Sequence, residues 1–255
     1  MKSLILEKSG DVLYVRLNRP EVRNAFDDNL IREITEVFSH IDTMLRAVVL
    51  SGEGKVFCAG GDLEWMRSSI TLSEEENRVD AERLAEMFRA IDECSCPVVG
   101  KVHGAAFGGG LGLVSVCDVV VAAEGTKFCF SEVKLGLSPA VIAPFALRKI
   151  GVAAARRYFL TAEVFDAQEA KRIGLVHEVE LHDHLESRVN EILSAIRETG
   201  PNAVREAKRL IRKIVPLEDN VMRECIETIA RLRVSEEGQE GVKAFLEKRS
   251  PSWKR

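Results

Sequence analysis

The stretch VVGKVHGAAFGGGLGL, residues 98–113, decides the fold class of this chain. Its opening residues, 98–102, are almost all apolar, which is typical of a strand buried on both faces of a parallel sheet. A glycine-rich loop follows, and the apolar residues after it predict a helix that runs through Val116. Another buried strand is predicted at 119–123. This recurrence of strand, glycine loop and helix predicts an α/β core.

A second glycine-bearing loop, VFCAGGDL at residues 56–63, lies upstream of the first and follows a predicted buried strand at 47–50. Neither loop has the spacing of a nucleotide-phosphate loop, because Leu111 and Gly112 stand where that loop needs lysine and then serine or threonine. Small residues let the backbone approach a ligand closely. The two loops therefore suggest two backbone N–H groups that converge on one oxygen, an oxyanion hole.

The remaining segments fit around this core. Alternating apolar residues at 4–7 and 12–17 predict an N-terminal hairpin. A capping-box pattern that begins at Ser73 predicts a long amphipathic helix. The last part of the chain has an almost entirely helical pattern. We therefore predict a core over 1–200 and a helical C-terminal region over 201–255.

Composition excludes several function classes. The chain has 255 residues, of which 46% are apolar and 30% charged, which indicates a soluble globular protein rather than a disordered or fibrous one. The 36 basic and 40 acidic residues give a net charge of −4, the wrong sign for a protein whose main partner is a phosphate backbone. No apolar run approaches the roughly 20 residues of a membrane span. We expect a cytoplasmic protein with neither a membrane nor a nucleic acid as its partner.

The six cysteines do not form a C-x-x-C pair, the spacing typical of zinc or thioredoxin-like chemistry. Cysteines in such a chain are more often packed and reduced than redox-active. The sequence therefore predicts no metal site.

Several motifs together resemble the enoyl-CoA hydratase/isomerase family, the crotonase superfamily, in order and separation across essentially the whole chain. They are Asn24-Ala25-Phe26, FCAGGDL at 57–63, HGAAFGGG at 103–110, Cys117-Asp118, FSEVKLGL at 130–137, Pro139, and the late pair Phe245 and Lys248. The resemblance implies a spiral of ββα units with a helical C-terminal trimerisation region, assembled as a homotrimer or a dimer of trimers. It also implies an acyl-CoA substrate, so that coenzyme A is part of the substrate and no separate cofactor is expected.

The resemblance assigns roles to particular residues. Gly61 and Gly109 match the positions whose N–H groups bind the thioester oxygen. Arg23 and Ala25 match the stretch that lines the site for the adenine and pantetheine of CoA. Other residues are expected to contact the substrate, with the last two reaching the adenosine end of CoA from a neighbouring subunit; they are Ala59, Gly60, Asp62, Leu63, Gly108, Pro139, Phe245 and Lys248.

The catalytic carboxylates need separate treatment. Hydratases of this family typically use two glutamates, and here the first position is Gly112 while the second is Glu132. Glu132 lies among apolar residues, where desolvation is expected to raise its pKa towards neutrality and to make the carboxyl a proton donor or acceptor. We therefore predict an enoyl-CoA hydratase that works with a single glutamate, and a Δ3,Δ2-enoyl-CoA isomerase is the leading alternative.

The segments around both glycine positions most resemble the bacterial methylglutaconyl-CoA hydratase branch. Gly112 is expected to leave space for a branched or carboxylated acyl group, whose charge would need a cationic partner. Lys101, Lys134 and Arg148 are candidates for that partner.

An alternative of another class is a non-catalytic CoA-binding or RNA-binding protein of the same fold. Its support is a basic run on one predicted helix face, formed by Arg205, Lys208, Arg209, Arg212 and Lys213.

Overall fold

The computed structural model describes residues 2–254 and contains two sheets and ten α-helices in that part of the chain. The strands are β1 (Leu4–Ser9), β2 (Val12–Leu17), β3 (Ala47–Gly52), β4 (Val98–Val102), β5 (Ala105–Phe107), β6 (Val119–Ala123), β7 (Lys127–Cys129), β8 (Phe165–Asp166) and β9 (Glu178–Glu180). The helices are α1 (Asp28–Ser39), α2 (Leu63–Ser69), α3 (Glu74–Asp92), α4 (Gly109–Val116), α5 (Ala143–Thr161), α6 (Ala167–Arg172), α7 (Leu185–Arg197), α8 (Pro201–Ile214), α9 (Asp219–Val234) and α10 (Glu236–Leu246).

The larger sheet has the strand order β1-β2-β3-β4-β6-β9, and the smaller one has the order β5-β7-β8. Strands β1 and β2 form the predicted antiparallel hairpin, whereas every other pairing in the larger sheet is parallel. Consecutive strands β4 and β5 belong to different sheets and lead into α4; β6 and β7 repeat this pattern and lead towards α5. The chain therefore builds the predicted ββα units, and the predicted α/β class is confirmed.

Individual residues define where several helices begin, end or bend. Ser73 and Glu76 form both hydrogen bonds of the capping box at the start of α3. Asp118, two residues after α4, accepts hydrogen bonds from Val98 N and Lys208 Nζ, each at 2.7 Å, and so links the start of β4 to α8. Helix α5 bends at Gly151, whose φ of 67° is left-handed and interrupts the helical backbone.

The core lies between the larger sheet and the helices that cover it. Phe88 of α3 is fully buried and packs edge-on against Phe26 at 6.2 Å between ring centroids, and against Phe145 at 6.0 Å. These rings join α3 to the loop before α1 and to α5, and so form the floor beneath the glycine loops.

The segment 201–255 contains three helices in its described part. Helix α9 packs along α3, and α10 packs against α2 and the 3-10 helix Glu132–Leu135. The division of the chain at residue 200 remains a prediction. None of the helices within residues 2–254 is long and apolar enough to cross a bilayer.

Candidate active site

The two glycine loops run side by side. Phe26 N donates to Gly60 O at 2.7 Å, and Asp62 N donates to Phe26 O at 2.8 Å, which fixes the first loop against the segment before α1. Phe107 N donates to Cys58 O at 3.0 Å, which ties the second loop to the first. The loops are therefore held together by backbone hydrogen bonds and do not depend on side chains for their relative position.

The N–H groups of Gly61 and Gly109 are available to a ligand. Neither donates to an acceptor within residues 2–254. Gly109 is the first residue of α4, so its N–H has no partner inside the helix and points along the positive end of the helix dipole. Two free donors in adjacent loops that line one cavity are what an oxyanion hole requires, and this role of Gly61 and Gly109 remains a prediction.

Gly60 allows this close approach. Its φ is 94°, in the left-handed region, and a Cβ atom there would lie 2.8 Å from Phe107 O and 3.7 Å from Gly109 N. Any other residue at this position would push the two loops apart. Gly60 therefore contributes to the site by allowing the backbones of the two loops to lie close together.

Glu132 lies directly across from these loops. Its Oε2 atom is buried and has no hydrogen-bond partner in the described structure, and its Oε1 lies 3.3 Å from the position of a Cβ atom on Gly108. Burial raises the pKa of Glu132 from its usual 4.5 to about 7, as the sequence predicts. Its carboxyl can therefore both donate and accept a proton near neutral pH.

A cavity of about 410 Å³ connects these groups. Glu132 is the only acidic side chain among its described lining residues. The predicted residues that line it are Ala59, Gly60, Gly61, Gly108, Gly109, Glu132, Pro139 and Phe245. Trp65, Met66, Leu84, Ile142 and Ile229 supply much of its apolar wall. Eight predicted site residues thus meet at one cavity.

The other predicted contacts lie outside the cavity lining. Ala25 is buried, and its carbonyl accepts a hydrogen bond from Arg19 Nη1. Asp62 is buried and caps the N-terminus of α2, where its Oδ1 accepts from Glu64 N at 2.8 Å. Arg23, Leu63 and Lys248 are exposed. Their predicted contacts with CoA remain predictions.

The expectation that Gly112 leaves space for the acyl group is wrong. A Cβ atom on Gly112 would lie 2.5 Å from Phe88 Cζ and 2.6 Å from Ile142 Cγ2, so these apolar side chains already fill the volume. Gly112 does not line the cavity. The close packing at this position also leaves no room for a first glutamate, because a larger side chain would have to displace buried neighbours.

Two of the three predicted cationic partners are also placed elsewhere. Lys101 pairs with Glu186, and Arg148 pairs with Asp92 at 2.6 Å, both outside the cavity lining. Lys134 does line the cavity.

Sequence reasoning missed Arg233 of α9, a buried arginine in the cavity wall. Its helical position, four residues after Ile229, was the available signal, because that spacing places the two residues on one face.

The basic run on α8 is largely neutralised within the chain. Three of its five side chains bind segments outside α8. Arg205 donates to backbone carbonyls, Lys208 pairs with Asp118 at 2.7 Å, and Arg212 pairs with Glu93 at 2.6 Å. Arg209 pairs with Glu206 on the same helix. These contacts weaken the RNA-binding alternative, because a protein binds RNA through basic side chains that are free to contact the phosphate groups.

Comparison with known proteins agrees with this geometry. The family model described as enoyl-CoA hydratase/isomerase matches residues 7–255. The short-chain-enoyl-CoA hydratase of Clostridium acetobutylicum is 32% identical over 261 residues, covering 98% of this chain and 96% of that protein. The crystal structure of an enoyl-CoA hydratase from Mycobacterium avium superposes with a TM-score of 0.86 at 34% identity, with 98% of each chain covered.

A second crystal structure, of an enoyl-CoA hydratase from Shewanella pealeana, has a TM-score of 0.80 at 41% identity and covers 98% of this chain and 96% of that one. The predicted crotonase fold and the predicted enzyme class, enoyl-CoA hydratase, are confirmed. The chain belongs to the enoyl-CoA hydratase/isomerase family.

Proposed function

We propose that this protein adds water across the 2,3 double bond of an enoyl-CoA thioester with Glu132 as its single acid–base group. The observation that carries the proposal is the unpartnered, buried Oε2 of Glu132 in a cavity that also holds two free backbone N–H groups. An oxyanion hole and a neutral-range carboxyl are the two elements that this addition needs.

The oxyanion hole comes first in the mechanism. The thioester oxygen would accept hydrogen bonds from Gly61 N and Gly109 N, which draws electrons from the C2–C3 double bond and makes C3 electrophilic. Donors of this kind contribute roughly 3 to 4 kcal/mol each, because charge develops on the oxygen only in the transition state. The apolar wall would hold the acyl chain in place and exclude other water.

The proton transfers then balance on Glu132. Its carboxylate takes a proton from a water molecule as the water oxygen bonds to C3, and the electron pair of the double bond moves towards C2 and the thioester oxygen. The resulting carboxylic acid gives that proton to C2. Glu132 ends in its starting form, so one carboxyl suffices where the second glutamate position is closed by packing at Gly112.

Substitution Glu132→Gln tests the proposal. We expect turnover to fall by about 10²- to 10⁴-fold, because the amide cannot take up the proton of the water. The assay follows the absorbance of the conjugated enoyl thioester and the gain of one water in the product mass. Glu86→Gln, an exposed residue of α3, is the matched control. Full hydratase turnover by a folded Glu132→Gln variant would show the assignment to be wrong.

The pH profile tests the order of the proton steps. If the carboxylate acts first as a base, kcat/KM for hydration rises with pH up to the apparent pKa of about 7 and is constant above it. A profile that instead falls above this pH would assign the protonated form to the first step.

Isomerisation is the second candidate, favoured by the same closed position at Gly112. A single carboxylate can move a proton from C2 to C4 without any water. A 3-enoyl-CoA substrate that shifts its double bond with no change of mass, at a rate exceeding hydration of the 2-enoyl form, would make this protein an isomerase.

The finer parts of the proposal rest on resemblance. We propose 3-methylglutaconyl-CoA as a substrate, with no cofactor besides the CoA that it carries. We also propose a homotrimer or a dimer of trimers. In that assembly Phe245 and Lys248 would reach the adenosine end of the CoA bound in a neighbouring subunit. Six free cysteines support a reducing compartment such as the cytoplasm. Hydration of a panel that includes crotonyl-CoA and 3-methylglutaconyl-CoA tests the substrate, and the mass in solution tests the assembly.

A further inference from the structure

The acyl cavity contains a buried arginine that the hydration chemistry does not use. Arg233 of α9 is 8% exposed and lines the cavity. Its Nη1 donates to Asp80 Oδ2 at 2.6 Å and lies 3.4 Å from Asn77 Oδ1. Its Nε and Nη2 have no acceptor within residues 2–254. Neither atom is among the fully buried polar atoms that lack a partner, so both retain access to a ligand or to solvent. Nη1 is therefore held by the protein, whereas the Nε–Nη2 edge of this cavity-lining residue has no acceptor in the described residues.

The free edge has the geometry of a carboxylate site. Nε and Nη2 of a guanidinium present parallel N–H donors that match the two oxygens of a carboxylate. Both oxygens of Asp80 are already engaged away from this edge, because Oδ2 accepts from Arg233 Nη1 and Oδ1 accepts from Trp65 Nε1 at 3.3 Å. The Arg233 guanidinium also stacks over the Trp65 ring, 4.9 Å from its centroid, which limits its movement.

Trp65 also sets the distance between Arg233 and the reacting carbons. The far edge of its indole lies 3.2 Å from the position of a Cβ atom on Gly61, so one ring separates the oxyanion hole from the guanidinium. An acyl chain that starts at Gly61 and follows the apolar wall would pass this ring. Its terminus, rather than its double bond, would then meet Arg233.

The charge of the cavity suits such a ligand. Its described lining has four cationic side chains and one acidic one, Glu132; the cations are Lys134, Arg233, Arg249 and Lys254. Lys134, Arg249 and Lys254 are exposed, so Arg233 is the buried cation among these four.

We propose that Arg233 is a specificity-determining residue that binds a terminal carboxylate on the acyl chain, so that the preferred substrates are enoyl-CoA thioesters that end in a carboxylate. This inference rests on the proposed hydratase function. Asp80 and Trp65 act as positioning residues for the guanidinium. The Arg233 guanidinium thus binds Asp80 of α3 through Nη1 and offers its Nε–Nη2 edge to the ligand. The same ion pair also links α9 to α3.

The test compares two five-carbon substrates that differ only at the chain end, glutaconyl-CoA and 2-pentenoyl-CoA. The variants are the pair Arg233→Met with Asp80→Leu, which removes both charges together and avoids an unpaired buried carboxylate, and Arg148→Met, which removes an arginine paired outside the cavity. We expect the wild-type ratio of kcat/KM for the two substrates to favour glutaconyl-CoA, and to fall about 10- to 100-fold in the double variant but not in Arg148→Met.

A binding measurement separates this proposal from the hydratase proposal. Calorimetry with the saturated glutaryl-CoA and pentanoyl-CoA needs no turnover. We expect wild type to bind glutaryl-CoA more tightly and the double variant to lose that advantage. No preference in wild type, or a preference that survives in the double variant, would overturn the role of Arg233. Failure to hydrate glutaconyl-CoA, with the binding preference intact, would instead count against the proposed reaction alone.

Discussion

The two ends of the acyl cavity handle buried charge in opposite ways. At the end that holds the glycine loops, Glu132 has a buried oxygen that finds no partner among residues 2–254, and two backbone N–H groups find no acceptor there. At the α9 end, Arg233 and Asp80 form an ion pair at 2.6 Å, and Trp65 contacts both. The reacting end is thus left unsatisfied in the free protein, whereas the far end is half satisfied by the protein itself.

This difference has an energetic consequence. A buried carboxyl without a partner favours its neutral form, so Glu132 gains its neutral-range pKa at the cost of stability when it ionises. A buried ion pair is stable only while both partners are present, because either charge alone is expensive to bury. Substitutions at the two ends should therefore change stability in opposite directions.

The largest effect is expected for Arg233→Met alone. We expect the free energy of unfolding to fall by about 3–5 kcal/mol, because Asp80 is left buried without its cation. Urea unfolding measures the loss, and Asp80→Leu in the same chain should recover much of it. Arg148→Met is the control and should cost less, since Asp92 keeps Arg212 at 3.6 Å. If Arg233→Met and Arg148→Met lower the free energy of unfolding equally, Asp80 is not unusually costly to leave without its cation, and the contrast between the cavity ends is lost.

The next effect is a gain at the reacting end. In Glu132 the folded-state pKa is raised, so the contribution of this one group to stability is complete below pH 4.5 and is lost as the pH rises to about 7. Glu132→Gln lacks this loss. We expect the variant to be more stable than wild type by about 3 kcal/mol above pH 8, and no more stable below pH 4.5.

Unfolding midpoints at several pH values measure this difference, with Glu86→Gln at an exposed position of α3 as the control. A difference between Glu132→Gln and wild type that stays constant across this range would mean that the carboxyl is not desolvated in the folded state.

The smallest effect is expected at Gly112, which packs outside the cavity lining against Phe88 and Ile142. Gly112→Ala adds a Cβ atom 2.5 Å from Phe88 Cζ, and such overpacking costs about 1–3 kcal/mol, of which a better helix propensity recovers up to about 1 kcal/mol. Gly200→Ala is the control, since its nearest neighbour lies at 3.6 Å. If thermal unfolding shows that Gly112→Ala is as stable as wild type, the wall formed by Phe88 and Ile142 yields easily, and a branched acyl group could enter there.

Much of the fold was predictable because its signals are local. The buried strands at 98–102 and 119–123 have the predicted bounds in the structure, and the capping box at Ser73 begins α3 as expected. A short apolar run bounded by glycine or proline contains the information for a buried strand within a few residues. Gly112 shows the limit: the missing side chain was visible in the sequence, but the two side chains that fill its volume come from α3 and from the residue before α5.

The sequence alone determined the glycine positions, the glutamate at 132 with glycine at 112, and the order of the buried strands at 98–102 and 119–123 with the helix between them, since each depends on residue type and short-range spacing. Only the tertiary structure decided which buried cation lines the acyl cavity. Arg233 and Asp80 are 153 residues apart in sequence, and their pairing depends on α9 packing along α3. Helical periodicity specifies the face on which a charge lies, but the partner that the face meets is set by the packing of distant segments.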